Sequence, residues 1–174
     1  MNKIIVLSML VWSASVDALG PSPVVLLDHG VVCDVLITGQ QDAPLTESGQ
    51  LNLVDQDRTI DVTTATVPAR LGLSFGIRVT LETGTALADA RVVVHHPPLG
   101  AARVTTQSWP IWLNAGDVSL NLFTFEHAYE LVEGRWMFQI IGAQGIALSQ
   151  EFDVVDKYAA AAVQDACFPA AVTS

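Results

Sequence analysis

From Leu71 to Glu82 the chain alternates: Leu71, Leu73, Phe75, Ile77, Val79 and Leu81 are apolar, while Gly72, Ser74, Gly76, Arg78, Thr80 and Glu82 are polar or glycine. A helix at about 3.6 residues per turn would scatter the apolar set around its axis, whereas a strand collects it on one face. The pattern predicts a half-buried strand closed by the turn Glu82-Thr83-Gly84. A second alternation, Trp136, Phe138 and Ile140, runs into Gly142-Ala143-Gln144-Gly145 and resumes at Ile146, Leu148, Phe152 and Val154, broken at Gln150. Two such runs joined by a loop with glycine at both ends predict an antiparallel hairpin, with Ala147, Ser149, Glu151 and Asp153 facing away.

Weaker signals fill the rest. Val31, Cys33, Val35 and Ile37 alternate, and Ile60–Thr63 is a short run ended by Pro68. Arg91–His95 is rich in valine and stops at Pro97-Pro98; Val104–Trp109 stops at Pro110. Leu120–Phe125 is apolar on both faces, which reads as a central buried strand or a bulged one. Gln40–Gly49, polar and containing Pro44, reads as a long loop, and Lys157–Ala166 has the propensity for a helical turn or two. Seven or eight short strands without helical crossovers predict an all-β, antiparallel sandwich with a short C-terminal helical tail; a small barrel is the alternative.

The first residues add a location. Lys3, the apolar run Ile4–Val16, and the modest side chains of Val16 and Ala18 form a secretory signal peptide with cleavage after Ala18. This leaves a sandwich over residues 19–156 and a tail over 157–174. The apolar run falls short of the about 20 residues a spanning helix needs, and no later stretch reaches that length. Export carries the chain into an oxidising compartment, the periplasm first and the extracellular space second. The two cysteines, Cys33 and Cys167, are then expected to bridge the ends of the mature chain, with two unpaired thiols as the alternative. Gly30-Val31-Val32 before Cys33 does not resemble a lipobox. With 18 acidic residues against 8 Lys and Arg, the surface repels nucleic acid and keeps an exported chain soluble.

Candidate chemistry is sparse. The four histidines include His95-His96, adjacent on a strand and so aimed at opposite faces. Zinc sites usually place two ligands on one side, and no such spacing occurs, so no metal or cofactor is expected. Asp28-His29-Gly30 could be written as a dyad, but nucleophile elbows, zinc-protease, phosphate-loop and dinucleotide patterns are absent, and no catalytic residue is assigned. Trp136 opens a strand and belongs in a core. Trp109-Pro110-Ile111-Trp112 reads equally as buried core or as an exposed patch, because Pro110 forces the chain off a regular strand; if either ring is exposed beside Leu113, Trp109, Pro110 and Trp112 are the best candidate interaction site. The leading expectation is a non-catalytic binding or structural module of the cell envelope whose partner is an envelope protein or glycan. The alternative is a hydrolase or metal-dependent enzyme using His95, His96, His127 and nearby carboxylates, one of the adjacent histidines joining His127 and Glu126. Oligomeric state is not legible.

Four strings carry a family resemblance: Val67–Gly76, His96-Pro97-Pro98, Glu130–Gln139 and Gln150–Val154. They resemble a bacterial family designated domain of unknown function 3859, over roughly Thr59–Val155. The resemblance implies an immunoglobulin-type sandwich whose last hairpin is the glycine-aromatic strand pair. It implies no activity and no catalytic residues, and it leaves Leu19–Gln56 and the cysteine-bearing tail outside.

Overall fold

The computed structural model describes residues 22–169; the expected signal segment, residues 1–18, lies outside them. The strands are β1 (Val24–Val32), β2 (Ile37–Asp42), β3 (Gln50–Val54), β4 (Val62–Thr63), β5 (Thr66–Pro68), β6 (Ser74–Leu81), β7 (Arg91–Leu99), β8 (Val104–Pro110), β9 (Ser119–Thr124), β10 (Gly134–Gly142) and β11 (Gly145–Val155), followed by the helix α1 (Ala161–Cys167). They form one sheet in the order β4-β1-β6-β9, a second in the order β5-β11-β10-β7-β8, and a separate β2-β3 hairpin. The expected sandwich is what forms. Its eleven strands exceed the seven or eight expected, chiefly through the hairpin and the two short strands β4 and β5. One pair, β5 on β11, is parallel.

Apolar alternation builds the core. Phe75, Ile77, Val79 and Leu81 of β6 face Trp136, Phe138 and Ile140 of β10 and Phe152 and Val154 of β11. The Phe75 ring lies 5.3 to 5.9 Å from those of Phe123, Phe125, Trp136, Phe138 and Phe152. Trp136 is fully buried, and its indole N–H donates to the Val132 carbonyl at 3.2 Å. Among these side chains Leu71 is missing: Gly72 turns the chain at φ +82°, its N–H bonds the Phe125 carbonyl, and Leu71 is left exposed before the strand begins. In the last hairpin Gly142 pairs with Gly145 around two residues, and Gly145 takes φ +113°, which a side chain would strain. The register then slips between Ile140 and Ile141, which turns Ile146 outward and moves Ala147 against the core.

Four other expectations are corrected. The strand near the start is not Val31–Ile37 but Val24–Val32, lying between β4 and β6, and the chain leaves it at Cys33. β7 runs through Pro97-Pro98 to Leu99, because its register against β8 shifts between His95 and Leu99 and no ladder amide is needed there. Gln40–Gly49 is a loop only from Ala43; Gln40–Asp42 is strand, and so is Gln50–Val54. β9 is at a sheet edge, not its centre, and its second apolar face is covered by the chain around β3.

The tail ends in α1, whose seven residues are too few to hold a helix alone. Val163 enters the core, Arg70 bonds Gln164 at 2.8 Å, and its guanidinium sits 3.4 Å above the Phe168 ring. Cys167 is bridged to Cys33, with 5.0 Å between the Cα atoms and 134 residues of sequence separation. The disulfide therefore ties the helix to the end of β1.

A cleft at the open edge of the sandwich as candidate functional site

β8 ends one sheet and β9 the other, and both border the same open side. The β2-β3 hairpin lies over that side, joined to it by hydrogen bonds from several points. The Ser108 N–H donates to the Leu45 carbonyl at 3.0 Å, the Glu47 N–H to Gln107 Oε1 at 2.8 Å, and the Leu120 N–H to Gln56 Oε1 at 2.9 Å. Asn52 Nδ2 donates to Glu126 Oε1, and the Tyr129 hydroxyl to Glu47 Oε2 at 2.6 Å. That last bond also holds the Tyr129 phenol above its ordinary pKa, so it stays protonated. Beneath the hairpin is a cleft of about 220 Å³ walled by β3, β9 and the end of β8. Its lining residues carry no charged side chain; amides such as Gln41, Asn52 and Gln56 alternate with apolar groups.

Both tryptophans of the expected patch line this cleft with Pro110, but they are used differently. Trp109 is still in β8, turned inward and part of the core. Pro110 closes the strand, and Trp112 stands 79% exposed at the cleft mouth. Leu53 is exposed on the cleft wall, Leu36 lines a neighbouring hollow that shares Val54 with the cleft, and Ile37 lines a separate hollow with Asn52 and His127. Their contribution was hidden because β2 is largely polar and the alternation in β3 covers only Leu51 and Leu53.

The histidines fall into separate places. His95 touches Gln139 and Thr106, His127 stacks on Tyr129, and His29 meets the edge of Phe152. Asp28 pairs with Arg78 at 2.8 Å, so the Asp28-His29 pair sits in β1, between β4 and β6. Among the described residues no three of His, Cys, Asp and Glu come together as a metal site. The metal-enzyme alternative needs His95 or His96 beside His127 and Glu126, and among the described residues these three do not come together.

His96 is buried against the Trp136 ring, 4.8 Å between centroids. Its Nδ1 lies 2.8 Å from the Pro97 carbonyl and its Nε2 3.1 Å from Gln107 Nε2. The carbonyl can only accept, so Nδ1 carries the proton and Nε2 accepts from Gln107, whose Oε1 in turn accepts the Glu47 N–H. The chain of bonds runs one way only, from the hairpin loop into the core, and it requires neutral imidazole.

Burial lowers the His96 pKa below 6.5, opposed by the Pro97 bond and assisted by neighbouring His95. A depressed histidine contributes stability that is present above its unfolded value and lost as pH falls through the folded one. Glu130 acts oppositely: burial raises its carboxyl above the usual range, against the Glu126 and His127 N–H groups that donate to it. Its contribution is present below 4.5 and lost as pH rises through its folded value. The stability difference between wild type and His96→Asn is therefore expected to shrink as pH drops below 6.5, because Glu130 is common to both proteins. Denaturant melts at a series of pH values measure it; a difference independent of pH would contradict the neutral-histidine relay.

Two facing sheets, a helical clasp and an open edge roofed by a hairpin define an immunoglobulin-like β-sandwich. A crystal structure of an immunoglobulin-like protein (PA1606) from Pseudomonas aeruginosa is similar at 21% identity and a TM-score of 0.52, over 76% of this chain and 92% of that one. The chain belongs to the family described as domain of unknown function (DUF3859), whose model matches residues 25–154. The match takes in β1, Cys33 and the whole β2-β3 hairpin, so the family extends well before Thr59, while Cys167 lies beyond it. No protein with a curated description matches the sequence.

Proposed function

We propose that the protein is an exported, non-catalytic binding module of the cell envelope, periplasmic in location, that recognises another envelope component through the cleft beside Trp112. The observation that carries this reading is a large aromatic ring left 79% exposed at the mouth of a cleft lined by amides and apolar side chains. Exposed tryptophan beside a concave, well-supported surface is the usual anatomy of a binding hot spot. Export is supported by the Lys3 and Ile4–Val16 pattern and by the Cys33–Cys167 bridge, since disulfides persist in oxidising compartments. No helix among the described residues is long and apolar enough to cross a membrane.

Trp112→Ala tests the reading. Because Trp112 is outside the core, the variant is expected to keep its stability within about 0.5 kcal/mol. Capture of a crosslinked partner from the native host is expected to weaken by about tenfold or more. Unchanged capture by a fully folded Trp112→Ala protein would refute the cleft as the binding surface.

A further inference from the structure

We propose that the cleft receives an extended segment of a partner protein, which adds as a strand to the free edge of β9 and carries lysine or arginine among its apolar residues. The inference rests on the binding-module reading and names the partner's chemistry. β9 pairs with β6 alone. Its Leu120 N–H points away from β6 and is met by the side-chain carbonyl of Gln56. In an antiparallel ladder every second residue faces the same way, so Leu122 and Thr124 also direct N–H and C=O outward. Both residues line the cleft, and no backbone group among the described residues pairs with their outward edge.

β3 runs alongside without joining the sheet. Side chains alone span the gap, Gln56 to Leu120 at one end and Asn52 to Glu126 at the other. The Gln56 amide thus stands where a guest strand's peptide carbonyl would stand, and the edge positions after it are free for the next ones. Unpaired edges of this kind are templates for strand addition. The chain that walls the cleft selects for charge: Asp42, Asp55 and Asp57, all exposed, each adjoin a lining residue, Gln41 or Gln56, in sequence, and the single base between Cys33 and Asp61, Arg58, is paired with Asp61 at 2.5 Å. A cationic strand complements that rim, whereas a second copy of this chain, with formal net charge −10, is repelled.

The test uses the mature, disulfide-bonded protein and short capped peptides of alternating valine and lysine or valine and glutamate, with an N-acetylglucosamine oligomer as the glycan probe. The lysine peptide is expected to bind at least about tenfold more tightly than the glutamate peptide, and to slow amide exchange at Leu122 and Thr124 by about tenfold or more. Leu122→Pro removes one outward N–H while leaving the bonds to β6, and it is expected to abolish that binding. Should that variant misfold, the exchange measurement on the unaltered protein decides alone. Failure of the lysine peptide to bind, binding without protection of Leu122 and Thr124, or binding of the glycan alone would each overturn strand addition. If capture of a native partner still depends on Trp112 in those cases, the binding-module reading stands without the strand; if capture is independent of Trp112, both fall.

Discussion

Phe75→Ala is expected to destabilise the protein by about 3–5 kcal/mol, a large share of the whole stability of a domain this size. The ring is fully buried and lies within 6 Å, centroid to centroid, of five other aromatic rings drawn from both sheets. Removing it takes away the packing that both sheets share, and the neighbouring rings are themselves held by strand registers and cannot collapse into the space. Edge-to-face geometry with Trp136, Phe138 and Phe152 adds to the area term. Urea unfolding with an unchanged m-value measures the effect. A loss below about 1 kcal/mol would show that the two sheets are not cemented at Phe75.

Removing the bridge, as Cys33→Ser with Cys167→Ser, has the second largest expected effect, about 2–5 kcal/mol. Chain entropy gives about 5 kcal/mol for a closed loop of this length, and measured bridges usually deliver less. The 134-residue separation makes the bridge span nearly the whole folded chain. The effect has a local signature as well. α1 begins at Ala160 in a left-handed conformation with no side-chain cap, and it depends on Val163, the Arg70 contacts and Cys167 for its position. Amide exchange at Gln164 and Phe168 is therefore expected to quicken more than that of β6 in the bridge-free protein. Equal stability and equal helix protection in the two forms would contradict a clasp.

The sequence pattern was most informative where one face of a strand is core and the other is not. β6 and β10 alternate cleanly for that reason, and the resemblance of their flanking strings to the family pointed to the same sandwich. The pattern failed where a strand's neighbours are not its own. β9 is apolar on both faces because the separate hairpin covers its outer side, and a single strand's periodicity cannot tell a covered edge from a sheet centre. β2 and β3 escaped because they pack only a weak, partial face. Pro97-Pro98 looked like a stop because the register shift that accommodates them belongs to the pairing with β8.

The candidate site was half legible. Pro110 marked the place where the chain leaves the sheet, and the patch around Trp109, Pro110 and Trp112 was identified from that. Which ring would point outward depends on where β8 ends, and Trp112 is two residues beyond that end. The cleft itself unites residues from β3, β8 and β9, far apart in the chain, and no local pattern announces it. The His96 relay was hidden for the same reason, since Gln107 and Glu47 reach it from other elements.

The most direct test of the account keeps Trp112 and replaces exposed Leu53, on the cleft wall, with a photo-reactive phenylalanine derivative in the native host, with the same replacement at exposed Tyr158 on the tail as the control. A discrete crosslinked partner at position 53 and none at 158 is the expected result, and it would place recognition at the cleft. Crosslinking at 158 alone, or no adduct at 53 in the folded, disulfide-bonded protein, would contradict a binding module that works through this edge of the sandwich.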